Sequence, residues 1–173
     1  MHIEEVILVN EQDEEIGTIE KMEAHRKALL HRAFSVFIFN GNGEMLLQQR
    51  ALAKYHSPGL WTNTCCSHPR PGEKVEVAAA RRLKEEMGID TPLKKIFDFI
   101  YRVDFETGLT EFEFDHVFTG MYNGPLNPDK QEVNDYCFRS IDDIEEDLKK
   151  HPSKYSAWFK IAFPELRMKM ESV

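Results

Sequence analysis

Apolar and polar positions change period several times along the chain, and each change marks an element. Residues 4–10 are rich in β-formers, Asp13-Glu14-Glu15 reads as a turn, and 16–19 resumes as a second strand. Residues 21–27 have helical propensity over a short span. From His31 to Phe39 the run is apolar on both faces, which predicts a central strand. Asn40-Gly41-Asn42-Gly43 is a hairpin signal, with 45–50 as the returning partner. After a loop over 51–59, the stretch 61–69 reads as extended, and Pro71-Gly72 marks another loop. Val75, Ala79, Leu83 and Met87 recur every four residues, so a helix is predicted over 75–87 with Gly88 as its stop. Strands follow over 93–103, 110–122 and 136–138. Ser140 to Asp143 resembles a capping box for a helix to Lys150, which Pro152 ends. A last helical region starts near Ser156 and is expected to break near Pro164. Hairpins dominate, so the class is α+β, a mixed or antiparallel sheet core flanked by helices.

Bulk properties narrow this picture. A chain of 173 residues with 42% hydrophobic and 30% charged residues suits one domain over 1–173 with its own core. Lys and Arg number 22 against 30 Asp and Glu, a net charge of −8. That argues against nucleic acid as a partner but allows a small anion held by a local cation cluster. No apolar run is long enough to span a bilayer, and the first residues carry no signal-peptide pattern. The cysteines are Cys65, Cys66 and Cys137. Adjacent Cα atoms lie about 3.8 Å apart, too close for a disulfide, so a reducing cytoplasm is expected.

The chemistry concentrates in Trp61-Thr62-Asn63-Thr64-Cys65-Cys66-Ser67-His68-Pro69. In an extended run side chains alternate, so Cys66 and His68 share one face and Cys65 and Ser67 the other. A thiol beside an imidazole serves a metal or a proton transfer. Alone, Cys65, Cys66 and His68 also permit a structural zinc, although such a site needs four closed ligands. On the 75–87 helix, Arg81 and Glu85 are four apart, as are Arg82 and Glu86; taken alone these are solvated ion pairs. On the 110–122 strand Glu111, Glu113 and Asp115 share a face.

Glu73, Arg81-Arg82-Leu83-Lys84-Glu85-Glu86 and Gly88-Ile89 resemble the Nudix box, G-x5-E-x7-R-E-U-x-E-E-x-G-U, with seven residues between Glu73 and Arg81. Ser67 replaces the first Gly, and Arg82 replaces the Glu of the Arg-Glu pair. A cation at that position weakens metal-assisted hydrolysis and favours anion binding. Together with Asn63-Thr64-Cys65-Cys66-Ser67-His68-Pro69 and Glu111-Phe112-Glu113, these departures resemble type 1 isopentenyl diphosphate isomerases. The likeness runs from Val6 through Glu20–His25 to Tyr155–Trp158. A Nudix hydrolase acting on another diphosphate is the alternative.

The resemblance implies a Nudix-like fold and interconversion of isopentenyl and dimethylallyl diphosphate, in isoprenoid biosynthesis. It implies Cys66 and Glu113 as the acid/base pair, with Tyr101 and Trp158 completing the pocket. Trp158 offers its π face to a carbocation, a contact worth about 2 kcal/mol when dry, on a helix expected to act as a lid. It implies His25, His31, His68, Glu111 and Glu113 as ligands of a divalent ion (Mn²⁺, Mg²⁺ or Zn²⁺). Glu86 and the Cys66 carbonyl would hold Mg²⁺ on the diphosphate, and Lys21, Arg50, Lys54 and Arg82 would anchor the phosphates. His2, His56, His116 and His151 match no ligand position. A monomer or homodimer without nucleic-acid or membrane partners is expected.

Overall fold

The computed structural model describes residues 3–171; His2 lies outside them. β1 (Glu5–Val9) and β2 (Glu15–Glu20) form an antiparallel hairpin, and α1 (Lys21–Arg26) follows with the Glu20 carboxylate accepting from Glu23 N–H. β3 (His31–Phe39) is buried at every position but Arg32, as its two-sided apolar run predicts. β4 (Met45–Arg50), β5 (Trp61–Thr62) and β6 (Cys65–Ser67) come next. α2 (Val75–Met87) stops where Gly88 turns left-handed at φ 70°, its N–H bonding Lys84 O. A Cβ on Gly88 would lie 2.8 Å from Asn127 Cβ, so conformation and space both demand glycine. β7 (Lys94–Asp104), β8 (Thr110–Met121) and β9 (Val133–Arg139) complete the sheet. α3 (Ile141–Lys150) starts on the Ser140 cap, a 3₁₀ turn covers Pro152–Lys154, and α4 (Ala157–Glu171) closes the chain.

Two expectations change. The hairpin after β3 pairs with it only at Phe39–Met45. Beyond that pair β3 runs parallel to β8 on one side, while β4 pairs with β9 and β5. Segment 63–66 enters the gap between β3 and β4. Asn63 Nδ2 donates to Val36 O at 2.9 Å, Ile38 N–H to Thr64 Oγ1 at 2.9 Å, and Thr64 Oγ1 to Leu46 O at 2.7 Å. Side chains thus satisfy backbone groups that a regular ladder would have paired. The break expected at Pro164 is also absent, since α4 continues through it. Pro164 is exposed while Phe163 and Leu166 are buried, and that packing outweighs the missing N–H.

The sheet is covered on both faces. Phe34, Val36 and Ile38 of β3 pack with Ala78, Ala79, Leu83 and Met87 of α2. Phe37 and Phe39 pack with Ile144 of α3 and with Phe159, Ala162, Phe163 and Leu166 of α4. Strand alternation therefore sends His31 and Ser35 to the α4 side, at the opposite end of β3 from the apolar cluster.

Candidate active site

Three neighbouring strands build the wall of one cavity of about 250 Å³. Ser35 on β3 is opposite Cys66 on β6, and His31 is opposite Glu113 on β8. Cys66 and Glu113 thus approach from the two strands that flank β3. Cys65 pairs with Val36, faces α2, and donates its thiol to Glu86 Oε2 at 3.1 Å. The alternation predicted for this stretch holds, but Cys65 serves a buried hydrogen bond as well as packing. The structural-zinc alternative fails on the same ground: the two thiols face opposite sides, and no cysteine joins a metal-compatible cluster among the described residues.

The Cys66 thiol donates to Asn63 Oδ1 at 2.9 Å, lies 3.6 Å from Ser35 Oγ, and accepts from Trp158 Nε1–H at 3.1 Å. Burial, with the nearby Asp115 carboxyl, pushes the thiol pKa far up, so the sulfur rests protonated. Trp158 is 3% exposed at the start of α4, and Arg50 Cζ lies 5.1 Å over its ring. The expected lid is a helix docked into the core through Phe159, Ala162, Phe163 and Leu166.

Donor atoms of His25, His31, His68 and Glu113 all lie within 4.8 Å of one another. Backbone carbonyls orient two of the rings: His25 Nδ1 sits 2.7 Å from Lys21 O and His31 Nδ1 2.9 Å from Leu29 O. Each ring thereby donates from Nδ1 and turns Nε2 inward. His25 Nε2 is buried without a hydrogen-bond partner, and burial pushes that imidazole down to about 4, the neutral ligand form. Glu113 Oε2 lies 3.1 Å from His31 Nε2 and 2.8 Å from His68 Nε2. Burial opposes its charge, yet His68 and His31 hold its carboxyl well below the usual range. Inward imidazoles, an ionised carboxylate and an unsatisfied His25 nitrogen fit a divalent cation.

Glu111 stands slightly apart from this group. Its Oε1 is 2.5 Å from His56 Nε2, and it clusters with His25 and His56 instead. Tyr101 OH lies 2.6 Å from both Glu111 Oε2 and Glu113 Oε1, so its single proton bridges the two carboxylates. Asp115, third on the same face of β8, accepts from Ser35 Oγ at 2.7 Å. Burial and the Glu113 charge raise its pKa well above the ordinary carboxylate value.

The rim is basic. Lys21, Arg50, Lys54 and Arg82 line the cavity, as do Arg70 and Arg81. Arg81 is committed to Glu73, with Nε and Nη2 at 2.8 and 2.9 Å from the two carboxylate oxygens. Lys21 pairs with Glu4 at 2.8 Å, Lys54 with Glu132, and Arg82 with Glu85 at 2.8 Å and Glu86 and Glu132 at 3.3 Å. Glu86 itself is 3% exposed and does not line the cavity; Arg82 and Cys65 engage its carboxylate on the α2 side of the sheet. His56 and Arg70 were not anticipated. Both lie in irregular loops, where no periodicity ties a residue to a face.

Known proteins resemble this chain in sequence and in fold. The NUDIX domain family matches residues 29–159. The isopentenyl-diphosphate Delta-isomerase 2 of Aromatoleum aromaticum is 51% identical over 157 residues, covering 90% of this chain and 82% of that protein. The isopentenyl-diphosphate Delta-isomerase of Pectobacterium atrosepticum is 48% identical over 94% of this chain and 91% of its own. In fold the chain is similar to DR0079 from Deinococcus radiodurans (TM-score 0.69, 18% identity, 86% of this chain and 90% of that one). It is also similar to the MutT protein from Methanosarcina mazei Go1 (TM-score 0.67, 20% identity, 81% and 94%). With a NUDIX domain over residues 29–159 and relatives about half identical over nine-tenths of its length, the chain belongs to the isopentenyl-diphosphate Delta-isomerase family.

Proposed function

We infer that this chain, as one domain, interconverts isopentenyl and dimethylallyl diphosphate by moving a proton on and a proton off. The observation that carries this reading is the meeting, in one cavity, of a thiol and a carboxylate. Cys66 and Glu113 reach that cavity from strands on either side of β3.

The reaction adds a proton to the terminal CH₂ and removes one from C2, through a cation at C3. One of Cys66 and Glu113 delivers and the other removes, and the reverse direction exchanges them. Trp158 Nε1–H, 3.1 Å from the Cys66 sulfur, stabilises that sulfur when it carries charge. Tyr101, 2.6 Å from Glu113 Oε1, holds the carboxylate in place and shares its proton with it. The buried wall keeps water from capturing the cation. Lys21, Lys54 and Arg82 grip the diphosphate by exchanging their present carboxylate partners for phosphate oxygens, and Arg50 joins them from over the Trp158 ring. His25, His31, His68, Glu111 and Glu113 would hold Mn²⁺, Mg²⁺ or Zn²⁺, supplying charge stabilisation to Glu113; Glu86 would have to leave Arg82 and Cys65 to hold, with the Cys66 carbonyl, Mg²⁺ that supplies it to the diphosphate. The unpaired thiols of Cys65, Cys66 and Cys137 support a reducing, cytoplasmic setting.

Incubation with isopentenyl diphosphate and Mg²⁺ in D₂O tests the reading. Deuterium should enter both isomers without phosphate release. Phosphate release without isomer exchange would overturn it in favour of a hydrolase.

A further inference from the structure

His56 comes from the irregular loop after β4, yet its side chain is only 3% exposed. Its Nε2 lies 2.5 Å from Glu111 Oε1. Its Nδ1 is buried with no hydrogen-bond partner among the described residues, so Glu111 is the ring's one polar contact. Aromatic neighbours fix the ring plane. Phe105 stacks on it at 5.0 Å and 9°, and Trp158 meets its edge at 5.5 Å and 83°. Arg50 Nη2 holds the loop by donating to His56 O at 3.2 Å.

We propose that His56 is a positioning residue for the metal centre, its Nε2–H holding the Glu111 carboxylate in register with His25. The proposal rests on reading the His/Glu cluster as a metal site. Two donors of one ion at right angles, each about 2.1 Å from it, stand about 3 Å apart. At 2.5 Å the two atoms stand closer than that, in direct contact with each other rather than spread around one ion. Tyr101 OH, 2.6 Å from Oε2, holds the other oxygen, so Glu111 is clamped at both ends. Each oxygen keeps a lone pair for a cation. Because the ring also touches Trp158, one side chain aligns the ligand carboxylate with the aromatic wall.

Chelator-stripped protein is titrated with Mn²⁺ against a chromogenic chelator, and thermal midpoints are recorded before metal is added. His56→Phe keeps the ring packing and removes the N–H, whereas His56→Gln keeps a donor. Mn²⁺ affinity should fall about 10- to 100-fold in His56→Phe. It should recover to within about threefold of wild type in His56→Gln, by the same reasoning on the retained donor. If His56→Phe does not fold, His56→Asn, whose shorter amide stops short of Glu111, takes its place with the same expected loss. Glu111→Gln should make the His56 substitutions silent, since they act through that carboxylate. Wild-type affinity in the Phe or Asn variant overturns the positioning role alone. A wild type that binds no Mn²⁺ overturns the metal reading and this proposal together.

Discussion

The wall of the cavity and its rim both carry charge, but they hold it in different ways. In the wall Glu113 is 6% exposed in its side chain, and His31 behind it is fully buried. His25 and His31 are locked by the Lys21 and Leu29 carbonyls, which leave each ring one orientation. On the rim, Lys21, Lys54 and Arg82 keep 19–21% of their side chains exposed and are paired with acidic side chains. Such partly solvated pairs contribute about 0–1 kcal/mol each. A diphosphate can displace them at small cost, whereas a buried donor cannot move without leaving a polar group unsatisfied. On the proposed function, the wall is preorganised for proton transfer and a cation, and the rim is exchangeable, as suits an anion that must come and go.

Substitutions sharpen that division, and the largest effect belongs to the wall. Cys66→Ala should lower turnover about 10³-fold while the fold survives, because it removes a proton-transfer group. Cys65→Ala should keep most activity and lose about 1–2 kcal/mol of stability in urea unfolding, since Glu86 loses a buried donor. Equal loss of turnover in both would break the assignment of the two thiols to opposite faces.

A second pair contrasts wall with rim directly. Glu113→Gln should reduce both kcat and Mn²⁺ retention by about two orders of magnitude. Arg82→Ala should raise KM about 10- to 100-fold with kcat nearly unchanged, because a charge-assisted phosphate contact contributes about 1.5–3 kcal/mol. Steady-state kinetics with a metal assay decide between them. An unchanged KM in Arg82→Ala removes Arg82 from the rim.

The smallest effect tests whether the wall holds a neutral carboxyl. Asp115 has its pKa raised by burial and by the Glu113 charge. Between its unfolded and folded values the native state keeps a proton that the unfolded chain has released. Wild-type stability therefore falls as pH rises through that window, and Asp115→Asn removes the fall. In chelator-stripped protein the variant should gain on wild type from pH 5 to pH 8, read from urea midpoints. A pH-independent difference would mean that Asp115 is already ionised in the fold.

Much of the fold was legible because short-range rules decide it. β3 is two-sided and apolar, α2 has a four-residue repeat and a left-handed glycine stop, and Ser140 caps α3. The β3–β4 pairing misled because Asn40 to Gly43 specifies a turn and nothing about competitors further along. β8 and segment 63–66, remote in sequence, take the edges of β3. The site divides likewise. Alternation placed Glu111, Glu113 and Asp115 on one face and separated Cys66 from Cys65. The histidines entered through family resemblance, since their spacing crosses a helix–strand junction. His56 escaped altogether, because a loop has no period from which a face can be read.

By itself, then, the sequence determined the elements, their inward faces and the family, and its resemblance proposed the acid/base pair. Tertiary structure alone decided which strands meet, that His56 reaches Glu111, and that Glu86 turns towards Cys65 and away from the cavity. Backbone preference and side-chain alternation act over a few residues and are written locally. Long-range pairing is settled by burying apolar faces and satisfying backbone groups across the whole sheet, a competition that no single stretch encodes.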